Sequence, residues 1–204
     1  MPSRLVAAFL LCCAAAHGAA ADLCPRTDLN AEWSVRCFQT AGAARKVKDR
    51  FVNRLRSAPT TILIAETREL VAVDAHGRVI VPGIVYTGDF DMPNPDGIER
   101  FRSADHRCGY FVRRTFDIIV PARFDHCEAF ANGRAQACVD CVAPCMDVDC
   151  HGRTMVGGHG VELDVAGRIR RRFAIDATHP RQAAPFDMPY STPLPDPSTS
   201  TGAR

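Results

Sequence analysis

The chain reads as a mainly β protein of α+β type, with β-hairpin repeats stacked on a shared core and one N-terminal helix. Three observations predict this class. Short β-branched runs alternate with Gly-containing turns through the middle of the chain. One such block recurs, with Val79-Ile80-Val81-Pro82 matched by Ile118-Ile119-Val120-Pro121. The ten cysteines point to covalent cross-links in place of a large core.

From the N-terminus, Arg4 precedes an uncharged apolar run, Leu5 to Ala16, and Ala19-Ala20-Ala21 offers a small-residue cleavage site. That layout predicts a signal peptide over 1–21 and export to the periplasm or the exterior. The run is too short to span a bilayer, and no later segment approaches the required length, so no transmembrane segment is expected. Cutting after Ala21 leaves 183 of the 204 residues. The formal net charge of the whole chain is only +2, which provides no field for nucleic acid or an anionic membrane.

Region 22–59 begins as a loop and turns helical. Val47, Phe51, Val52 and Leu55 fall at helical spacing within 43–56, basic residues fill much of the remaining surface, and Pro59 stops the pattern. Region 60–176 is β-rich. Thr60 to Ala65 is one β-prone run. Glu69 to Asp74, the turn at Ala75-His76-Gly77 and Arg78 to Pro82 form a hairpin pattern. Cys108 to Val112 and Asp117 to Pro121 repeat it. Gly160 to Ile169 is a partial third copy, in which Asp164-x-x-Gly167-Arg168 matches Asp74-x-x-Gly77-Arg78. The run Arg168 to Arg172 reads as a solvated strand or turn. Region 177–204 is rich in Pro, Ser and Thr and predicts a disordered tail.

Cys12 and Cys13 leave with the signal peptide. The remaining eight, Cys24, Cys37, Cys108, Cys127, Cys138, Cys141, Cys145 and Cys150, form an even set in an exported chain and are expected in disulfides. A local Cys24–Cys37 bridge is the natural first pairing; the other pairings stay open. Cys138, Cys141, Cys145 and Cys150 crowd into a loop over 138–151 beside Asp140, Asp147, Asp149 and His151. Thiolates and imidazole also bind zinc, so this cluster carries a metal-binding alternative. The Cys138-x-x-Cys141 pair lacks the strand-to-helix context of a thioredoxin-type redox motif.

The second block shows Gly109-Tyr110, Ile119-Val120-Pro121, Phe124-Asp125, Phe130-x-x-Gly133 and Ala135 in order. In this it resembles the WG-repeat family, with Cys108 standing where the family has its tryptophan. The resemblance spans about residues 70–173. It implies β-hairpin repeats and an interaction surface for another protein or a cell-envelope component, and it transfers no catalytic residue.

The chemistry read directly from the residues agrees. Asp125-His126-Cys127 places acid, base and thiol side by side, but neighbours on a strand point to opposite faces. They read as a disulfide cysteine beside a surface histidine. Asp89-Phe90-Asp91 reads as a solvated acidic edge. Gly157-Gly158-His159-Gly160 has no strand-to-helix frame for a phosphate. No cofactor is expected, and a non-enzymatic binding or scaffold role leads. A hydrolase with an unrecognised site is kept as a third class. Tyr86, Phe90, Phe124 and Phe130 are candidate partner anchors, their alternative being positions in the core between hairpins.

Overall fold

The computed structural model describes residues 23–27, 32–42, 44–86, 94–150 and 152–177. The expected signal peptide, the tail beyond residue 177, Phe90 with its flanking aspartates, and His151 lie outside the described residues.

The mainly β class is borne out by twelve strands in three antiparallel sheets. Strands β1 (Phe38–Ala41) and β2 (Ala44–Val47) form a small ribbon. Six strands then follow in chain order across one open sheet: β3 (Thr60–Ile64), β4 (Glu69–Val73), β5 (Val79–Ile84), β6 (Ile98–Arg102), β7 (Cys108–Val112) and β8 (Ile118–Phe124). The third sheet runs β12 (Ile169–Ala174), β11 (His159–Asp164), β10 (Arg134–Val139), β9 (His126–Cys127). Every named pairing is antiparallel between sequence neighbours. Short turns therefore suffice, and no long crossover is needed.

The hairpin repeat is real in three dimensions. The pairs β4–β5, β7–β8 and β11–β12 are the three matched segments. The first and third copies build the same turn atom for atom. The Asp74 carboxylate accepts from the backbone N–H of His76 at 2.9 Å and of Arg78 at 2.8 Å, and from Arg78 Nε at 2.9 Å. Asp164 accepts from Ala166 N–H, Arg168 N–H and Arg168 Nε at 3.0, 3.0 and 2.9 Å. The glycine of each turn has positive φ, +80° at Gly77 and +74° at Gly167, where a side chain is strained. The shared Asp-x-x-Gly-Arg pattern thus supplies both the acceptor and the backbone freedom that this turn needs. The second copy has no such aspartate, and its turn, from Val112 to Asp117, is closed by Val112 N–H donating to Asp117 O at 2.9 Å.

Alternation of side chains on the strands packs three apolar clusters. One lies under β3 and β4 with Trp33, Cys37, Phe38 and Val47. A second joins Ala72, Val81, Phe101 and Phe111 within the six-stranded sheet. The third joins the two large sheets: Cys108, Tyr110, Val120 and Phe124 from one meet Cys127, Phe130, Ala137 and Leu163 of the other.

The N-terminal helix is shorter and tighter than the apolar spacing over 43–56 predicts. Its first residues are strand β2, and only Asp49–Arg54 is helical, as a 3-10 helix. Tertiary pairing overrides the local preference. Val47 N–H donates to Gly77 O at 2.7 Å and Lys48 N–H to Cys37 O at 2.8 Å, so the first hairpin turn and the Cys24–Cys37 bridge both hold this segment extended. The apolar face itself is as expected, with Val47 buried and Phe51, Val52 and Leu55 packed beside it.

Candidate functional site

The eight cysteines among the described residues are all paired: Cys24–Cys37, Cys108–Cys127, Cys138–Cys141 and Cys145–Cys150. The first guess at the N-terminal bridge is met. Pairing within the cluster also occupies the sulfurs that a zinc site would need as thiolates, which leaves the metal alternative without its ligands in this oxidation state. Four bridges place the folding of this chain in an oxidising compartment.

The cysteine-rich loop is a built structure. Strand β10 ends at Val139, and Asp140, at φ +57°, turns the chain so that Cys141 reaches back to Cys138. Beyond it a narrow ribbon runs outward. Val142 and Val156 exchange backbone hydrogen bonds at 3.1 and 2.9 Å, and Cys145 bridges Arg153. The guanidinium of Arg153 donates to Ala143 O at 2.8 Å. Cys145–Cys150 then closes the tip, where Met146 N–H donates to Gly152 O at 2.9 Å. Thr154 and Met155 are buried at the root.

What the ribbon displays is unusual for exposed chain. Val142, Met146 and Val148 are 64%, 40% and 101% exposed, three of the seven large exposed hydrophobics among the described residues. Exposed Asp140, Asp147 and Asp149 stand among them. Two disulfides hold this apolar, acidic surface in one shape, so a partner would not bear the entropy of ordering it.

Under the root lies a buried polar cluster. Across the four-stranded sheet, His126, Cys138, Gly160 and Phe173 stand in one cross-strand row. Alternation turns this row away from the Ala135, Ala137, Val161 and Leu163 face. His126 is 8% exposed, which corrects the surface histidine expected from sequence; its neighbour Cys127 is a disulfide cysteine as expected. Asp125 faces elsewhere, pairing with Arg107 at 2.6 Å and accepting the Asp140 N–H at 2.6 Å. The three residues form no catalytic group. Arg100 donates to Cys127 O at 3.1 Å, and the Tyr110 hydroxyl is shared between Glu128 O at 2.8 Å and Gln136 O at 3.1 Å. No family model, curated protein or solved structure matches the chain.

Charges in the cluster are displaced from their ordinary values. Burial, reinforced by Arg100, Arg102 and Arg153, pushes the His126 imidazole down to about 4 from 6.5. Burial raises the Glu128 carboxyl, with Arg100 opposing it, and burial also raises the Tyr110 hydroxyl. For His126 the stability consequence has a definite sign. Between pH 6.5 and about 4 the unfolded chain takes up a proton that the folded chain refuses. Stability is therefore lost as pH falls through that window, by on the order of 2 kcal/mol. Glu128 acts oppositely, losing its contribution as pH rises through its folded value. Urea unfolding at pH 7 and pH 4.5 checks this: His126→Gln is expected to lose clearly less stability on acidification than the wild type. Equal losses would remove His126 from the acid response.

The aromatic anchors chosen from sequence sit elsewhere. Phe124 and Phe130 are buried in the cluster joining the two sheets, and Phe130 packs edge-on against Tyr110 with centroids 5.1 Å apart. Neither is free for a partner, because the hairpins need them as core. Tyr86 is half-buried against the six-stranded sheet and donates to Arg68 O at 3.2 Å. Sequence reasoning missed Val142, Met146 and Val148. The available signal was apolar residues set between closely spaced cysteines and acids, in a segment too short to bury them.

Proposed function

We propose that this protein is an exported, disulfide-stabilised binding module of the WG-repeat kind. In this reading the β repeats are the scaffold and the cysteine-rich loop is the contact surface. One observation carries it: Val142, Met146 and Val148 are exposed together on a loop closed by two disulfides. Exposed apolar side chains on a pre-organised element, alternating along the loop with exposed Asp140, Asp147 and Asp149, suit an apolar recess with a basic rim. The partner is another protein or a protein component of the cell envelope, met in the periplasm or outside the cell.

Site-specific photo-crosslinking in the producing cells tests this. A photoreactive residue at position 148 is expected to yield a discrete adduct, which disappears when Val142 and Met146 are replaced by aspartate. The same probe at position 76, on the turn between β4 and β5, is expected to yield none. Identical adducts from both positions, or none from 148, would contradict the reading.

A further inference from the structure

The four disulfides fall into two kinds. Cys24, Cys37, Cys108 and Cys127 are all buried, so neither of their bridges presents a sulfur to an incoming thiolate. Cys138–Cys141 joins a cysteine that is 0% exposed to one that is only half-buried. Exchange needs a reachable sulfur to attack and a leaving sulfur whose thiolate the protein can hold. Cys141 meets the first need.

Cys138 meets the second. It stands directly across from His126 on the neighbouring strand. Arg100 and Arg102 on β6 and Arg153 in the cysteine-rich ribbon act on His126 from two segments. Burial, the larger influence on His126, opposes any charge on Cys138, while the arginine charges that disfavour an imidazolium favour a thiolate at the adjoining position. The turn is also held by contacts other than its own disulfide. Asp125, paired with Arg107, fixes the Asp140 N–H at 2.6 Å. Gly158, at φ +71°, lies so close that a Cβ there would sit 2.3 Å from Val139 O and 2.4 Å from Asp140 O. The two sulfurs therefore stay within reach of one another after reduction. Cys145–Cys150 is exposed too, but neither of its sulfurs is a fully buried one set across from His126 as Cys138 is.

We propose that Cys138–Cys141 is a redox-active disulfide that oxidises the dithiol of an exported protein or peptide, a role beyond the binding reading and independent of it. A substrate thiolate attacks Cys141 Sγ, forming a mixed disulfide and releasing Cys138 as thiolate. The substrate's second thiolate then attacks its own sulfur in the mixed disulfide and releases Cys141. Two electrons and two protons pass from substrate to protein: the substrate gains a disulfide, and Cys138 and Cys141 become thiols.

The test uses the oxidised full-length exported protein, a reduced peptide bearing two cysteines, and glutathione disulfide as terminal oxidant. Acid quenching and peptide mapping are expected to find Cys138 and Cys141 reduced at least about tenfold faster than Cys108 and Cys127. Peptide oxidation is expected to run about tenfold or more above its spontaneous rate, to fall to that rate in Cys138→Ser/Cys141→Ser, and to persist in Cys145→Ser/Cys150→Ser. Overturning results are peptide oxidation no faster than the spontaneous rate, full activity in the Cys138→Ser/Cys141→Ser protein, or first reduction at Cys145–Cys150. Should the double serine variant fail to fold, the order of reduction in the wild type decides.

Discussion

Replacing Cys108 and Cys127 together with alanine is expected to lower the unfolding free energy by about 3–5 kcal/mol. This bridge spans 19 residues, and chain entropy alone assigns such a loop about 3 kcal/mol. Its position adds to that figure. Cys108 opens β7 in the six-stranded sheet, and Cys127 ends β9 in the four-stranded one, so the bridge cross-links the two sheets. Both residues are buried in the cluster that joins the sheets, and alanine would leave a void there. The contrast is Cys145→Ala/Cys150→Ala, where the bridge spans five residues on exposed chain and closure entropy is worth only about 2 kcal/mol. Urea titrations of both variants check the ranking, and equal losses would mean that the junction does not depend on the Cys108–Cys127 link.

Trp33→Ala is the second large effect, at about 3–5 kcal/mol. Trp33 is 1% exposed, packs against Phe38 with centroids 6.1 Å apart, and anchors the N-terminal cluster. It also covers a sheet edge. Its N–H donates to Leu63 O at 2.8 Å and its carbonyl accepts from Ala65 N–H at 2.9 Å, so the segment lies parallel to β3 and shields strand groups that would otherwise invite pairing with another chain. The indole Nε1–H has no acceptor among the described residues. A buried unpaired donor costs about 1–3 kcal/mol, so Trp33→Phe, which removes the donor and keeps a ring, is expected to lose less than half as much as Trp33→Ala. Thermal and urea unfolding of the pair checks this. Equal losses in the two variants would mean that the indole N–H is satisfied.

The repeated hairpins were legible because their signals are local. A two-residue period and β-branched runs define β4–β5 and β7–β8 without knowledge of distant contacts, and in β4–β5 a glycine at positive φ marks the turn. Asp164-x-x-Gly167-Arg168 was legible for the same reason, since the carboxylate closes the turn on its own neighbours. Strand β2 was not. Val47, Phe51 and Leu55 satisfy helical spacing, and pairing with β1, together with the bonds to Gly77 O and Cys37 O, holds the first part of that stretch extended. The burial of Phe124, Phe130 and His126 depends on where the second repeat leaves one sheet and enters the other, and that crossing has no sequence signature. Cysteine parity was legible, whereas the pairing of Cys108 with Cys127 required the fold. The exposed Val142, Met146 and Val148 were hidden by their own composition, since valine and methionine ordinarily mark core.

The most direct test of the account is the intact mass of the exported protein after alkylation, with and without prior reduction. The account predicts no adducts before reduction and eight after it, with Cys138, Cys141, Cys145 and Cys150 among the residues labelled only in the reduced sample. Alkylation of those four without reduction would contradict it, because the loop would then be an unstapled thiol cluster and neither a pre-shaped binding surface nor an oxidant.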